Sequence, residues 1–116
     1  MTITIYHNPR CGKSRDTLAL LKGKGIEPTV VAYLETPPDA ATLRGLLKKL
    51  GIADARALMR KGEAEYKALG LTNPSLSQDA LIDAMVANPK LIERPIVVSG
   101  DKAALGRPPE SVLAIL

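Results

Sequence analysis

Tyr6-His7-Asn8-Pro9-Arg10-Cys11-Gly12-Lys13-Ser14-Arg15-Asp16-Thr17 is the stretch on which the reading of the chain turns. Before it, residues 2–6 (Thr-Ile-Thr-Ile-Tyr) alternate polar and apolar side chains with β-branched ones, the period of a strand, and residues 13–24 carry the spacing of an amphipathic helix. The junction puts Cys11 at a helix N-terminus. Unpaired N–H groups and the positive end of the helix dipole stabilise an anion there, either the Cys11 thiolate or an oxyanion bound beside it. Arg15 lies four residues on, one helical turn, so its guanidinium can share that face and add charge, or it can be a solvated helix residue.

Working outward, the first unit closes with a second strand at residues 29–33, after Gly25 has stopped the helix. Strand, helix, strand at this spacing is a βαβ unit, whose right-handed crossover makes the two strands parallel. Pro37-Pro38 breaks the chain. Asp39 is an N-cap for a helix carried by Leu43, Leu46, Leu47 and Leu50 and ended by Gly51. A short helix follows at residues 53–58, a polar turn at 60–63 and a weak helix at 65–69 that stops at Gly70. Ser77, with Asp79 in the first turn, opens another helix through Leu81, Ile82, Met85 and Val86, closed before Pro89. Residues 39–88 therefore read as a helical insertion. The period then returns to that of strands: Pro95-Ile96-Val97-Val98-Ser99, a Gly100-Asp101 turn and an antiparallel partner at residues 102–105. Pro108-Pro109-Glu110 starts a final helix bearing Val112, Leu113, Ile115 and Leu116. The expected fold class is α/β, with a small mixed four-stranded sheet in the order βαβ, helical insertion, ββα.

The 116 residues fit one domain able to bury roughly two-thirds of its unfolded surface. With no Phe or Trp and three Tyr, the core must be built from Leu, Ile, Val, Ala and Met, and little remains for base stacking. The net charge of +4 is spread without a Lys/Arg run, which argues against nucleic acid as the partner. One cysteine excludes an internal disulfide. The amino end lacks the pattern of a signal peptide, and no apolar run approaches the roughly 20 residues of a membrane span. A soluble protein of the reducing cytoplasm, with no membrane partner, is the expectation.

Several separated blocks then carry a resemblance: residues 7–15, Tyr33-Leu34-Glu35-Thr36-Pro37-Pro38, Arg56-Ala57-Leu58-Met59-Arg60, Leu91-Ile92-Glu93-Arg94-Pro95-Ile96-Val97-Val98 and Gly106-Arg107-Pro108-Pro109-Glu110. In this order they resemble the glutaredoxin-coupled arsenate reductases, essentially end to end. The resemblance implies one thioredoxin-like domain over residues 1–116 and reduction of arsenate to arsenite. It implies no bound cofactor and no metal, with glutathione as co-substrate and glutaredoxin as the partner that regenerates the enzyme. It places the nucleophile on Cys11, the motif histidine on His7 and the oxyanion-binding arginines on Arg60, Arg94 and Arg107, with Arg15 a further substrate-binding candidate. A monomer is expected. Pro95 is cis if the thioredoxin-like pattern holds, against the general preference for trans.

The chemistry supports such a set. A thiolate attacking arsenate approaches another anion, and fixed arginines remove that repulsion while their planar forks offer paired donors to a tetrahedral oxyanion. His7 reads either as a general acid or base or as a hydrogen-bonding strand-end histidine. Two rival functions remain: a thiol or oxyanion reductase for another substrate, and a redox-responsive regulator binding RNA polymerase. Such regulators commonly carry a second cysteine three positions after the first; that position is Ser14, so a C-x-x-C switch is impossible here.

Overall fold

The structure, a computed structural model, describes residues 2–116. Two compact units make up the chain: one runs to Thr36 and resumes over Arg94–Leu116, and the other is Pro37–Glu93.

The first unit holds the sheet. Strand β1 (Ile3–His7) buries alternate residues Ile3, Ile5 and His7, as its pattern predicts. Helix α1 (Gly12–Gly23) follows, and strand β2 (Thr29–Ala32) pairs parallel with β1. Gly25, at φ 77°, ends α1 by accepting the left-handed conformation a side chain would resist. Strands β3 (Ile96–Ser99) and β4 (Lys102–Leu105) form the expected hairpin, with β3 antiparallel to β1, so the order is β2-β1-β3-β4. Ile3 and Ile5 of β1 and Val97 of β3 present one face of this sheet. Leu21 of α1 and Val112 of the C-terminal segment cover it to form the core. Each such side chain taken fully out of water contributes roughly 1.5–3 kcal/mol.

The second unit is helical, as expected, and its caps are those read from the sequence. Helix α2 (Ala40–Leu50) starts at Asp39, whose carboxylate accepts the Thr42 N–H at 2.8 Å, and ends at Gly51. After the short helix α3 (Ala64–Ala68), helix α4 (Gln78–Ala87) starts at Ser77, whose hydroxyl accepts the Ala80 N–H at 3.1 Å. Arg44 on α2 and Asp79 on α4 pair at 2.7 Å on the surface. Arg56 is a structural clamp, donating to the carbonyls of Leu71 at 2.7 Å and Asn73 at 2.6 Å.

Three details differ from the expectation. Residues 53–58 and the chain end form 3₁₀ turns, over Ala55–Leu58 and Pro109–Ile115, in place of α-helices. At the chain end Pro109 brings no N–H, and the segment closes with i→i+3 bonds such as Ser111 N–H to Pro108 C=O at 3.0 Å. The third is an addition: Met59 forms an isolated antiparallel bridge with Ile92, flanked by Arg60 N–H to Leu91 C=O and Glu93 N–H to Leu58 C=O, both 2.7 Å. Both strands of that bridge are too short to carry a period. Among the described residues no helix is long and apolar enough to cross a membrane.

Candidate active site

The sheet topology gathers the site. β1 and β3 are antiparallel with Tyr6 opposite Ile96, and β3 and β4 pair with Ile96 opposite Leu105. The end of β1, the start of β3 and the end of β4 thus share one edge. The Cys11 loop leaves that edge, Arg94 precedes β3 and Arg107 follows β4, so residues far apart in the chain emerge together. Arg107 Nη1 donates to the Arg94 carbonyl at 3.2 Å. Both arginines precede cis prolines, Pro95 and Pro108; for Pro95 this is the isomer the resemblance implied.

Cys11 is the N-cap of α1, partly exposed, with extended backbone (φ −95°, ψ 123°). Burial acts most strongly on its thiol and pushes it up. Against that stand the Ser14 N–H, the Arg94 charge, the Lys13 N–H and a hydrogen bond from the Arg94 guanidinium, which together hold the thiol below its ordinary range. The helix N-terminus therefore favours a thiolate as expected, but its cationic partner is Arg94.

Arg15 takes another place. Its Nη1 donates to the Pro9 carbonyl at 2.9 Å, and its guanidinium folds back along Gly12. Four-residue spacing aligns side chains only where both residues are helical, and the N-cap Cys11 is not. The Arg15 charge instead acts on His7.

His7 is buried, 8% exposed, and its Nδ1 lies 2.6 Å from Ser14 Oγ. Burial first, then the charges of Arg15 and Lys22, push the imidazole below its ordinary range, so it is neutral near pH 7. The fully buried Ser14 hydroxyl also accepts the Asn8 N–H at 3.0 Å. Asn8 shapes the loop further: its carbonyl accepts the Cys11 N–H and its side-chain oxygen the Arg10 N–H, each at 3.0 Å. Ser14 and Asn8 were missed as organisers of the site. The signal was present in the Asx-turn chemistry of Asn-Pro and in a serine on the helix face turned to the core.

Arg60 lies in the helical unit, where its Nη1 pairs with Glu63 at 2.7 Å and its N–H is fixed to Leu91. Among the described residues no group of three or more His, Cys, Asp or Glu is placed to hold a metal ion.

The arrangement, a helix-start cysteine whose thiol is held below its ordinary range beside two linked arginines, coincides with a family-wide sequence pattern: that of the ArsC family matches residues 6–115. The chain belongs to the ArsC family. Several relatives span nearly the same length. A protein of Escherichia coli K12 named "Uncharacterized protein YfgD" is 66% identical over 98% of this chain and 96% of its own. An arsenate reductase of Haemophilus influenzae is 53% identical over 100% of both chains. The solved ArsC-type structure of an arsenate reductase from Vibrio cholerae superposes with a TM-score of 0.98 at 55% identity, covering 100% of this chain and 98% of that one. The fold is accordingly the thioredoxin-like α/β fold with a four-stranded mixed sheet.

Proposed function

We propose that this chain is a cytoplasmic arsenate reductase in which the Cys11 thiolate is the nucleophile and glutathione and glutaredoxin supply the electrons. The observation that carries the reading is the hold of Arg94 on the Cys11 sulfur, with Arg107 bonded to the carbonyl of the same Arg94. In this reading the Cys11 thiolate forms an S–As bond while an As–O bond breaks, the departing hydroxyl takes a proton from solvent and leaves as water, and the remaining oxygens rest on Arg94, Arg107 and the N–H groups of the helix start. Glutathione thiolate then attacks the Cys11 sulfur. The S–As bond breaks, its electron pair stays with arsenic, arsenite departs, and a Cys11–glutathione disulfide is left for glutaredoxin to reduce.

Arg60, paired with Glu63 inside the helical unit, is the third arginine that the family resemblance implies for the oxyanion. His7, neutral and tied to Ser14 through Nδ1, acts in this reading as the group that holds the helix start in place and not as the proton carrier at sulfur. The high identity to relatives named arsenate reductase supports the substrate assignment.

The deciding experiment couples purified protein to arsenate, glutathione, glutaredoxin, glutathione reductase and NADPH, beside Cys11→Ser. Arsenate-dependent NADPH oxidation absent from Cys11→Ser is the expected result. Intact-mass measurement after one turnover without glutaredoxin should find one glutathionyl group on the chain, removable by dithiothreitol. Full turnover without glutathione, or no arsenate dependence, overturns the reading.

A further inference from the structure

A cavity in the sheet-bearing unit lies along α1, on a side of the helix that the chemistry above does not use. It is a groove of about 700 Å³ between α1 and the chain after β4. Lys13, Asp16, Leu20 and Gly23 line it at helical spacing, with Lys24 at the far end and Pro108 to Glu110 as the opposite wall. Its near end is bounded by chain neighbours of the site: Lys13 is two residues past Cys11, and Pro108 directly follows Arg107. Four charged side chains line it, Lys13 and Lys24 against Asp16 and Glu110, and none of them forms an ion pair among the described residues.

We propose that this groove is the binding site of the thiol reductant, a zwitterionic tripeptide of the glutathione type with two carboxylates, one ammonium and a central thiol. The proposal rests on the reading of Cys11 as a nucleophile resolved from outside. With one cysteine in the chain, the second sulfur must be delivered by a ligand held near the start of α1. The dimensions suit it: an extended tripeptide spans about 10 Å, and the α1 wall from Lys13 to Lys24 runs about 16 Å. The volume is within the roughly 300–1,000 Å³ of small-molecule sites. Charge narrows the ligand class. A polyanion would meet Asp16 and Glu110, and an apolar ligand would leave four charges desolvated without partners, whereas a zwitterion can satisfy both signs.

The test uses S-methylglutathione, which has the tripeptide's charges but no thiol, titrated into isotope-labelled wild-type protein while backbone amides are followed by NMR. Saturable shifts centred on Lys13, Asp16, Gly23, Lys24 and Glu110 are expected; no saturable shift, or shifts centred on the separate cavity at His7, Leu34 and Glu35, overturns the proposal. Lys24→Glu should weaken binding by roughly fivefold, the scale of one exposed charge contact. Gly23→Leu probes the space itself. A β-carbon on Gly23 meets nothing within 4 Å, so leucine projects into the open groove, and leucine favours helix over glycine. This variant should retain or raise the thermal midpoint while abolishing the shifts, and wild-type binding by both variants overturns the proposal. Failure of the two ideas is distinguishable. Binding in the groove without arsenate turnover would remove arsenate and keep the site; arsenate turnover with the same glutathione dependence in both variants would remove the site and keep arsenate.

Discussion

Gly106 lies so close to Thr17 that a β-carbon placed on it would overlap the Thr17 side chain, and it would also stand 2.7 Å from Pro95 Cγ. Gly106 donates its N–H to the Pro95 carbonyl at 3.0 Å, and Thr17 is itself pinned by its hydroxyl bond to the Lys13 carbonyl at 2.8 Å. The stretch that links Arg94 and Arg107 is thereby pressed against α1 with no room for a methyl group. Gly106→Ala should cost about 1–3 kcal/mol of stability through overpacking. In a Thr17→Ala background the cost should fall, because most of the overlapping atoms are gone. Thermal or urea unfolding of the four proteins checks this, and additive losses would contradict the close approach.

Cys11 should titrate below the roughly 8.5 of a free thiol, and Arg94→Gln should raise its midpoint while Arg15→Gln leaves it in place. Thiolate absorbance across pH, with Cys11→Ser as the blank, reads this directly. An equal shift from both substitutions would mean that Arg15 also reaches the sulfur.

His7 is the one histidine in the chain, so its ring protons report a single titration by NMR. Removing a cation that disfavours the imidazolium should raise the His7 pKa in Arg15→Gln. The same depression links to stability. The unfolded chain takes up this proton near about pH 6.5, while the folded chain resists it until lower pH. Stability is thus complete above that value and is lost as pH falls from it towards the folded pKa. In His7→Asn that part of the acid dependence should vanish. A stability profile parallel to wild type between neutral and mildly acid pH would refute the coupling.

Arg94→Lys and Arg107→Lys keep charge but lose the planar fork, and Arg107→Lys also gives up the Nη1 bond to the Arg94 carbonyl. Each should lower turnover by about a hundredfold, on the order of 3 kcal/mol, the scale for one preorganised donor. Steady-state rates with arsenate measure it; near wild-type rates in both would remove the two arginines from the oxyanion site.

What the sequence determined by itself was everything encoded at short range. The alternation at Ile3 and Ile5, the Asp39 and Ser77 caps, the Gly25 and Gly51 stops and the Gly100-Asp101 turn each act within a few residues, so the strand–Cys11–helix junction and the β3–β4 hairpin were legible. The sequence also presented Arg94 and Arg107 as candidates, but through family resemblance and without a partner for either. Tertiary structure alone decided which cation meets Cys11. Helical spacing proposed Arg15, yet the N-cap backbone turns Cys11 off the helical stripe and the Pro9 carbonyl captures the guanidinium, while strand register carries Arg94 to the sulfur instead. The same holds for Ser14 against His7 and for Gly106 against Thr17. Their identities were plain, but a hydrogen bond or a missing methyl group has meaning only once the opposing surface, brought by another element, is in place.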